Sequence, residues 1–239
     1  MNWISRFLTS SLGQKVIMSL TGIFLILFLI VHMSGNLQLL ADDGGRSFNI
    51  YAAFMSENPF IRVISIGLYA SILLHAIQGI ALALANRKAK GGKYAHGKVA
   101  GATWASKNMA LLGILIFAFL CLHMADFWVK MRFTDTLTMV TYAGHDEAVQ
   151  DIYSRVNVAF QELWLVAVYL IGVTALCIHL VHGFQSAFQT LGLTHKKYTP
   201  LINALGWIYS IAICAGFAIM PLYHYFPPSY PPTTNSASM

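Results

Sequence analysis

Five long stretches of the chain are almost uninterruptedly apolar, roughly residues 16–40, 62–85, 108–130, 160–190 and 201–225. A helix needs about 20 apolar residues to cross the hydrocarbon core of a bilayer. Each stretch reaches that length with no Lys, Arg, Asp or Glu in its middle. The pattern predicts an all-α integral membrane bundle of five transmembrane helices within residues 1–226. The first stretch does not read as a signal peptide, because its apolar run is too long and no small-residue cleavage site follows it. Residues 227–239 are rich in Pro, Ser and Thr and read as a tail without regular structure.

Composition agrees. Of the 239 residues 57% are hydrophobic and only 10% charged, against about 25% charged in a soluble domain. This argues against a soluble enzyme, a disordered chain and a disulfide scaffold. The three cysteines, Cys121, Cys177 and Cys214, lie singly in apolar runs with no C-x-x-C or C-x-x-C-H spacing, so neither a zinc ribbon nor covalent haem attachment is indicated. The net charge of +6 does not point to nucleic acid, because basic charge on an apolar chain marks cytoplasmic loops.

Sorted by the side of the membrane, that charge sets direction. Arg6, Lys15, Arg87, Lys88, Lys90, Lys93, Lys98, Lys107, Lys196 and Lys197 fall on one side with no acid among them. Arg46, Arg62, Lys130, Arg132 and Arg155 fall on the other with all nine acids. The positive-inside rule then puts the N-terminus in the cytoplasm and the C-terminus outside. Trp3, Trp104 and Trp207 come near the inner interface, and Trp128 and Trp164 near the outer one.

Histidine carries the chemistry. His96, His145 and His195 in loops, and His224 at the end of the fifth segment, read as solvated. His32, His75, His123, His179 and His182 lie inside segments one to four, where ionisable side chains are costly and functional by default. With the directions above, His32 and His123 share the outer half and His75 and His179 the inner half. One imidazole pair at each of two depths is the arrangement that two bis-histidine haems need. Glycine spacing points the same way. Gly22 and Gly113 each precede a histidine by ten residues, and Gly79 and Gly183 each follow one by four; glycine lets a flat ring approach a helix closely. The match of His75-Ala-Ile-Gln-Gly79 with His179-Leu-Val-His-Gly183 selects His179 over His182 as ligand, leaving His182 to bond a propionate or water. A proton relay would need a carboxylate in mid-membrane, and a di-iron desaturase would need clustered H-x-x-x-H motifs; the segments hold neither.

Taken in order, these residues resemble the five-helix, two-haem cytochrome b subunit of succinate:quinone oxidoreductases, the succinate dehydrogenase and fumarate reductase family. The strongest piece runs from Ser19 to His32 and reads S-x-T-G-x-F-L-x-L-F-x-I-x-H. Further matches surround His75, Ala76 and Gly79, then His123, then His179 with Gly183 and Gly192, and also Phe48-Asn49, Phe54-Met55 and Pro59-Phe60. The resemblance implies two haem b groups, the inner on His75 and His179 and the outer on His32 and His123, with Ser19 at a propionate. It also implies a flavoprotein subunit and an iron–sulfur subunit as partners, a bacterial cytoplasmic membrane, and membrane quinone, usually menaquinone, as substrate. The chain itself has no flavin fingerprint and no iron–sulfur cysteines.

The fumarate reductase branch carries a glutamate two residues before the fourth-segment ligand, where this chain has Cys177, so a proton path through that position is not expected. Glu57, just before the second segment, is the candidate proton-exchanging group at a quinone site, with Asn49 and Arg62 as neighbours. The basic stretches 86–107 and 191–200 are the expected docking surface for the soluble subunits. Two rival classes remain open: another di-haem b carrier of the hydrogenase or ferric reductase type, and a haem-free anchor or proton-conducting protein.

Overall fold

The computed structural model describes residues 2–89 and 103–226. Five helices are long and apolar enough to span a membrane: Ser11–Leu40, Pro59–Lys88, Trp104–Phe133, Leu163–Thr190 and Thr199–Tyr225. At 1.5 Å per residue even the shortest is about 40 Å long, more than the roughly 30 Å hydrocarbon core. The chain is therefore a multi-pass, all-α membrane protein. The tail 227–239 and the central part of the basic stretch, 90–102, lie outside the described residues.

Local chemistry sets the helix ends, which extend beyond the purely apolar runs. A short helix α1 (Trp3–Thr9) turns at Ser10, whose hydroxyl accepts from the Gly13 amide and starts α2 (Ser11–Asn36) five residues before the first apolar run. A 3-10 turn, Leu37–Leu40, finishes this span. The second span is α4 (Pro59–Ala89), opened by Pro59 and by Asn58, whose side-chain oxygen accepts from the amides of Phe60 and Ile61. The third is α5 (Trp104–His123), capped by Thr103. It continues through a π turn, Met124–Trp128, into α6 (Val129–Phe133).

The fourth and fifth spans are α8 (Leu163–Thr190) and α9 (Thr199–Tyr225). The fourth apolar run starts at 160, but the helix starts only at Leu163. Phe160 belongs to the preceding helix, and the chain turns at Gln161, whose amide is held by the His224 carbonyl at 2.7 Å.

What hydropathy does not show is a cap over one end of the bundle. It consists of α3 (Arg46–Glu57), a hairpin of β1 (Met139–Tyr142) and β2 (His145–Gln150), and α7 (Ile152–Phe160). The strands pair antiparallel, Val140 opposite Val149, across a two-residue turn in which Gly144 takes φ +76°. Gly45, also left-handed at φ +83°, lies so near the Tyr153 ring that a Cβ there would be 2.3 Å from it; only glycine fits.

Asn49 ties the three cap elements together. Its side chain is fully buried, donates to Tyr142 Oη (2.8 Å) and Asp151 Oδ1 (2.9 Å), and accepts from the Tyr153 amide (2.9 Å). Both of its N–H donors are committed to the cap, and only its oxygen keeps a free lone pair.

The larger buried cluster lies where the cap meets α8 and α9. Leu39, Phe48, Ile152, Val156, Phe160, Leu165, Tyr169 and Met220 form one buried cluster there. A second, with Val173, Leu180, Ile213 and Cys214, fills the seam between α8 and α9. The first three spans present most of their surface outward, through residues such as Leu27, Val63, Ile66 and Ile114, as lipid-facing helices do.

His224, expected to be solvated, is instead only 3% exposed. The rings of Tyr153, Phe160 and Tyr223 surround it. The cap folds back over the end of α9, which helical periodicity in α9 alone does not reveal.

Asn49→Ala would strand the groups it bonds at a cost of about 1–3 kcal/mol. The expected outcome is faster proteolysis within the hairpin in detergent, with helix content unchanged by circular dichroism. Partial burial pushes the Asp151 carboxyl up, but hydrogen bonds from Ser154 and Asn49 outweigh this and hold it below the ordinary carboxylate value. Its stabilisation of the cap is then complete above the unfolded value of about 3.9 and fades as pH falls through the lower folded value. Hairpin protection should weaken in that acid range, and Asp151→Asn should blunt the pH dependence.

Candidate functional site

Four of the five intramembrane histidines form two facing pairs. His32, late in α2, meets His123, the last residue of α5, with ring centroids 5.7 Å apart and planes at 83°. His75 of α4 meets His179 of α8, with centroids 6.2 Å apart and planes at 64°. Gly22 marks the level of the second pair on α2, since a Cβ there would lie 3.4 Å from His75 Cε1. Ten helical residues separate Gly22 from His32, so the pairs are about 15 Å apart along the bundle. The His32–His123 pair is nearer the cap.

Each pair has its own surroundings. Phe28 stacks on His32 at 5.1 Å, and Phe217 approaches it at 5.6 Å. Phe119, Phe127 and Tyr169 surround His123 at 5.5–6.1 Å. This shell is aromatic, with the Tyr169 hydroxyl as its polar group, and it leaves both histidines partly buried. Around the His75–His179 pair, α4 and α8 scarcely touch, and the rings reach across the gap. Gly113 and Gly183 are partly buried, yet nothing lies within 4 Å of where a Cβ would stand on either.

The hydrogen bonds are made on one side of the rings. Thr21 Oγ1 donates to the Ile17 carbonyl (2.8 Å) and stands 3.1 Å from His75 Nδ1. The Met18 carbonyl is also within reach at 3.1 Å; when the hydroxyl's one proton goes to either carbonyl, the hydroxyl accepts from His75 Nδ1–H and the Nε2 lone pair stays free. Tyr169 Oη is 3.3 Å from His123 Nδ1. Among the described residues, no protein hydrogen bond reaches Nε2 of any of the four, and the buried Nδ1 of His179 has no partner either.

His32 differs. The Asn36 amide donates to its carbonyl at 2.7 Å and makes a weaker 3.3 Å contact to its Nδ1. Ligation through Nε2 would put the proton on Nδ1, so the weaker contact must give way while the stronger one stays.

The other residues singled out from sequence are placed as follows. His182 is half-buried on α8 and makes no ring contact with His75. Ser19 is buried, and its hydroxyl donates to the Lys15 carbonyl of its own helix at 3.0 Å. Gly79 packs against Met18. The Cys177 thiol faces the Ser210 carbonyl of α9 at 3.7 Å.

Glu57 is exposed at the end of α3, on a cavity of about 250 Å³ shared with Ser56, Arg62, Met131, Arg132 and Gln150. Arg62 Nε and Arg132 Nη2 both donate to the Ser56 carbonyl, at 3.0 and 2.6 Å. Thr21, Tyr169, Arg132 and the Asp126–Arg155 pair had no role assigned from sequence. Thr21 could have been found as the hydroxyl beside Gly22 in an apolar run. The others depend on contacts between distant parts of the chain.

Gly172 of α8 sets the approach of α5 to the His123 shell, since a Cβ there would lie 2.5 Å from the Phe119 ring. Gly172→Ala should cost about 1–3 kcal/mol by overpacking. Phe119→Ala should relieve it, so that the two changes together lower the melting temperature in detergent by less than the sum of their separate effects. No protein-family model, curated protein or solved structure matches the chain.

Proposed function

We propose that the chain is the di-haem b membrane anchor of a succinate:quinone oxidoreductase, with electrons passing between an iron–sulfur subunit on the cytoplasmic side and membrane quinone. The observation that carries this reading is the stacking of two facing imidazole pairs about 15 Å apart along α2. Two imidazoles fall short of the three or four protein ligands that a bare zinc ion takes, and they are the number that would hold a bis-histidine haem. Metal–imidazole bonds are about 2 Å long. With centroids 5.7 and 6.2 Å apart, the two imidazoles of each pair are close enough that both could hold one metal. The free Nε2 atoms and the room beside Gly113 and Gly183 agree with a flat bound group.

When bound, haem b supplies one-electron chemistry at each level. In this reading His75 and His179 hold one group, and His32 and His123 hold the other. Thr21 fixes the tautomer of His75. The aromatic residues around His32 and His123 would pack against the group held there. Arg87, Lys88, Lys107, Lys196 and Lys197 are exposed at the end away from the cap and form the described part of the docking surface for the soluble subunits. By the charge asymmetry that end faces the cytoplasm of a bacterium, and the cap faces outward. Quinone, menaquinone in this reading, binds at the cap end. The exposed carboxylate of Glu57 exchanges protons there, and Arg62 offers a donor on the same cavity.

Reduced-minus-oxidised spectra with haem quantitation on the purified protein test this reading. Two low-spin haem b per chain are expected. His32→Ala and His179→Ala should each lose one, while His182→Ala keeps both. Thr21→Val should weaken retention at the His75 site by about 10–100-fold. Absence of haem b would overturn the proposal. Two haems without a co-purifying flavoprotein and iron–sulfur subunit would assign the chain to another di-haem oxidoreductase.

A further inference from the structure

Asp126 is a carboxylate three residues beyond His123, inside the π turn that follows α5. It is paired with Arg155 of α7 through Oδ1 and with Lys130 at 3.5 Å, while Arg155 Nε also approaches the Asp126 carbonyl at 3.4 Å. The side chains of Asp126 and Arg155 are each only 23% exposed. Withdrawing two charges from water is expensive, and such a pair is weak evidence for a stabilising purpose. Its position suggests another use. The same π turn carries Phe127, whose ring packs on both His123 (5.5 Å) and Tyr169 (6.3 Å). Tyr169 in turn stands 3.3 Å from His123 Nδ1. Asp126 is thus about one helical turn along the chain from His123, and the intervening turn carries the Phe127 ring that packs on that imidazole. π turns often occur at functional sites, and the low local dielectric strengthens a fixed charge.

We infer that Asp126 and Arg155 are positioning charges that set the redox potential of the metal centre held by His32 and His123. Asp126 favours the oxidised, more positive state, and Arg155 offsets it. This rests on the di-haem reading above. The pair is too far from the His75–His179 level to act equally there, so it separates the two potentials.

Spectroelectrochemical titration of both haems in the intact complex tests the inference. Asp126→Asn should raise the midpoint potential of the haem lost in His32→Ala. The expected shift is about tenfold in reduced-to-oxidised ratio, or 59 mV for one electron. Arg155→Gln should lower the same potential, Asp126→Asn with Arg155→Gln should return it near the parent value, and the other haem should move little. Arg155→Lys keeps the charge and should leave both potentials in place.

If Asp126→Asn does not accumulate, Arg155→Gln carries the test alone, since Lys130 still partners Asp126 in that variant. Unmoved potentials with two haems bound would overturn this inference and leave the di-haem reading standing. Equal movement of both potentials would also overturn it. A parent protein without haem b would overturn both.

Discussion

A polar group in hydrocarbon needs a partner, and the structure of this chain is organised by where those partners come from. For the backbone the answer is mostly the helix itself, which pairs its own amides and carbonyls over five spans apart from the break at Pro221. For hydroxyls within the spans it is often the preceding turn: Ser19, Thr21, Thr174 and Ser210 each donate to a carbonyl four residues back. The imidazoles cannot be satisfied this way. His75 and His123 find a hydroxyl for Nδ1, and the Nε2 edge of all four paired histidines is left without a protein partner among the described residues. That unspent capacity, at two levels and in facing pairs, is the physical basis of the proposed haem sites.

The two levels are held differently. The His32–His123 pair lies beneath the cap, inside a shell of Phe28, Phe119, Phe127, Tyr169 and Phe217. The helix contributing Tyr169 is also the most buried span. Packing there is close enough that Gly172 admits no side chain against Phe119. The His75–His179 pair instead spans a gap between α4 and α8. A haem bound at this level would replace helix–helix contact as the tie between them, so cofactor and fold would be mutually dependent.

The cap joins the bundle to the polar side of the membrane. Asn49 binds α3, the hairpin and α7 into one unit, and Arg155 of that unit reaches Asp126 of the third span. The groups around Asn49 would be unfavourable if left unpaired, so this network holds the cap together with its apolar cluster. The cavity beside Glu57 lies between cap and bundle, which places the proposed quinone chemistry on the surface where these two parts meet.

Some of this was legible before any coordinates. The five spans follow from run length, because a bilayer imposes a minimum on every crossing segment. The pairing of His32 with His123 and of His75 with His179 by level follows from the alternating direction of successive spans and the fixed rise of a helix. The resemblance to succinate:quinone oxidoreductase cytochromes adds an identity and partners, which remain proposals.

Run length and charge could not reveal the hairpin, because residues 139–150 carry no long apolar pattern and the turn depends on Gly144. Nor could they show that His224 is enclosed, that Asn49 is committed to three elements, or that Arg155 meets Asp126 from 29 residues away. Linear sequence determined what must lie in the membrane and at what depth, since both are set by one-dimensional lengths and charges. Tertiary structure alone decided which polar groups meet, because hydrogen bonds and ion pairs depend on ångström-scale approach between residues far apart in the chain.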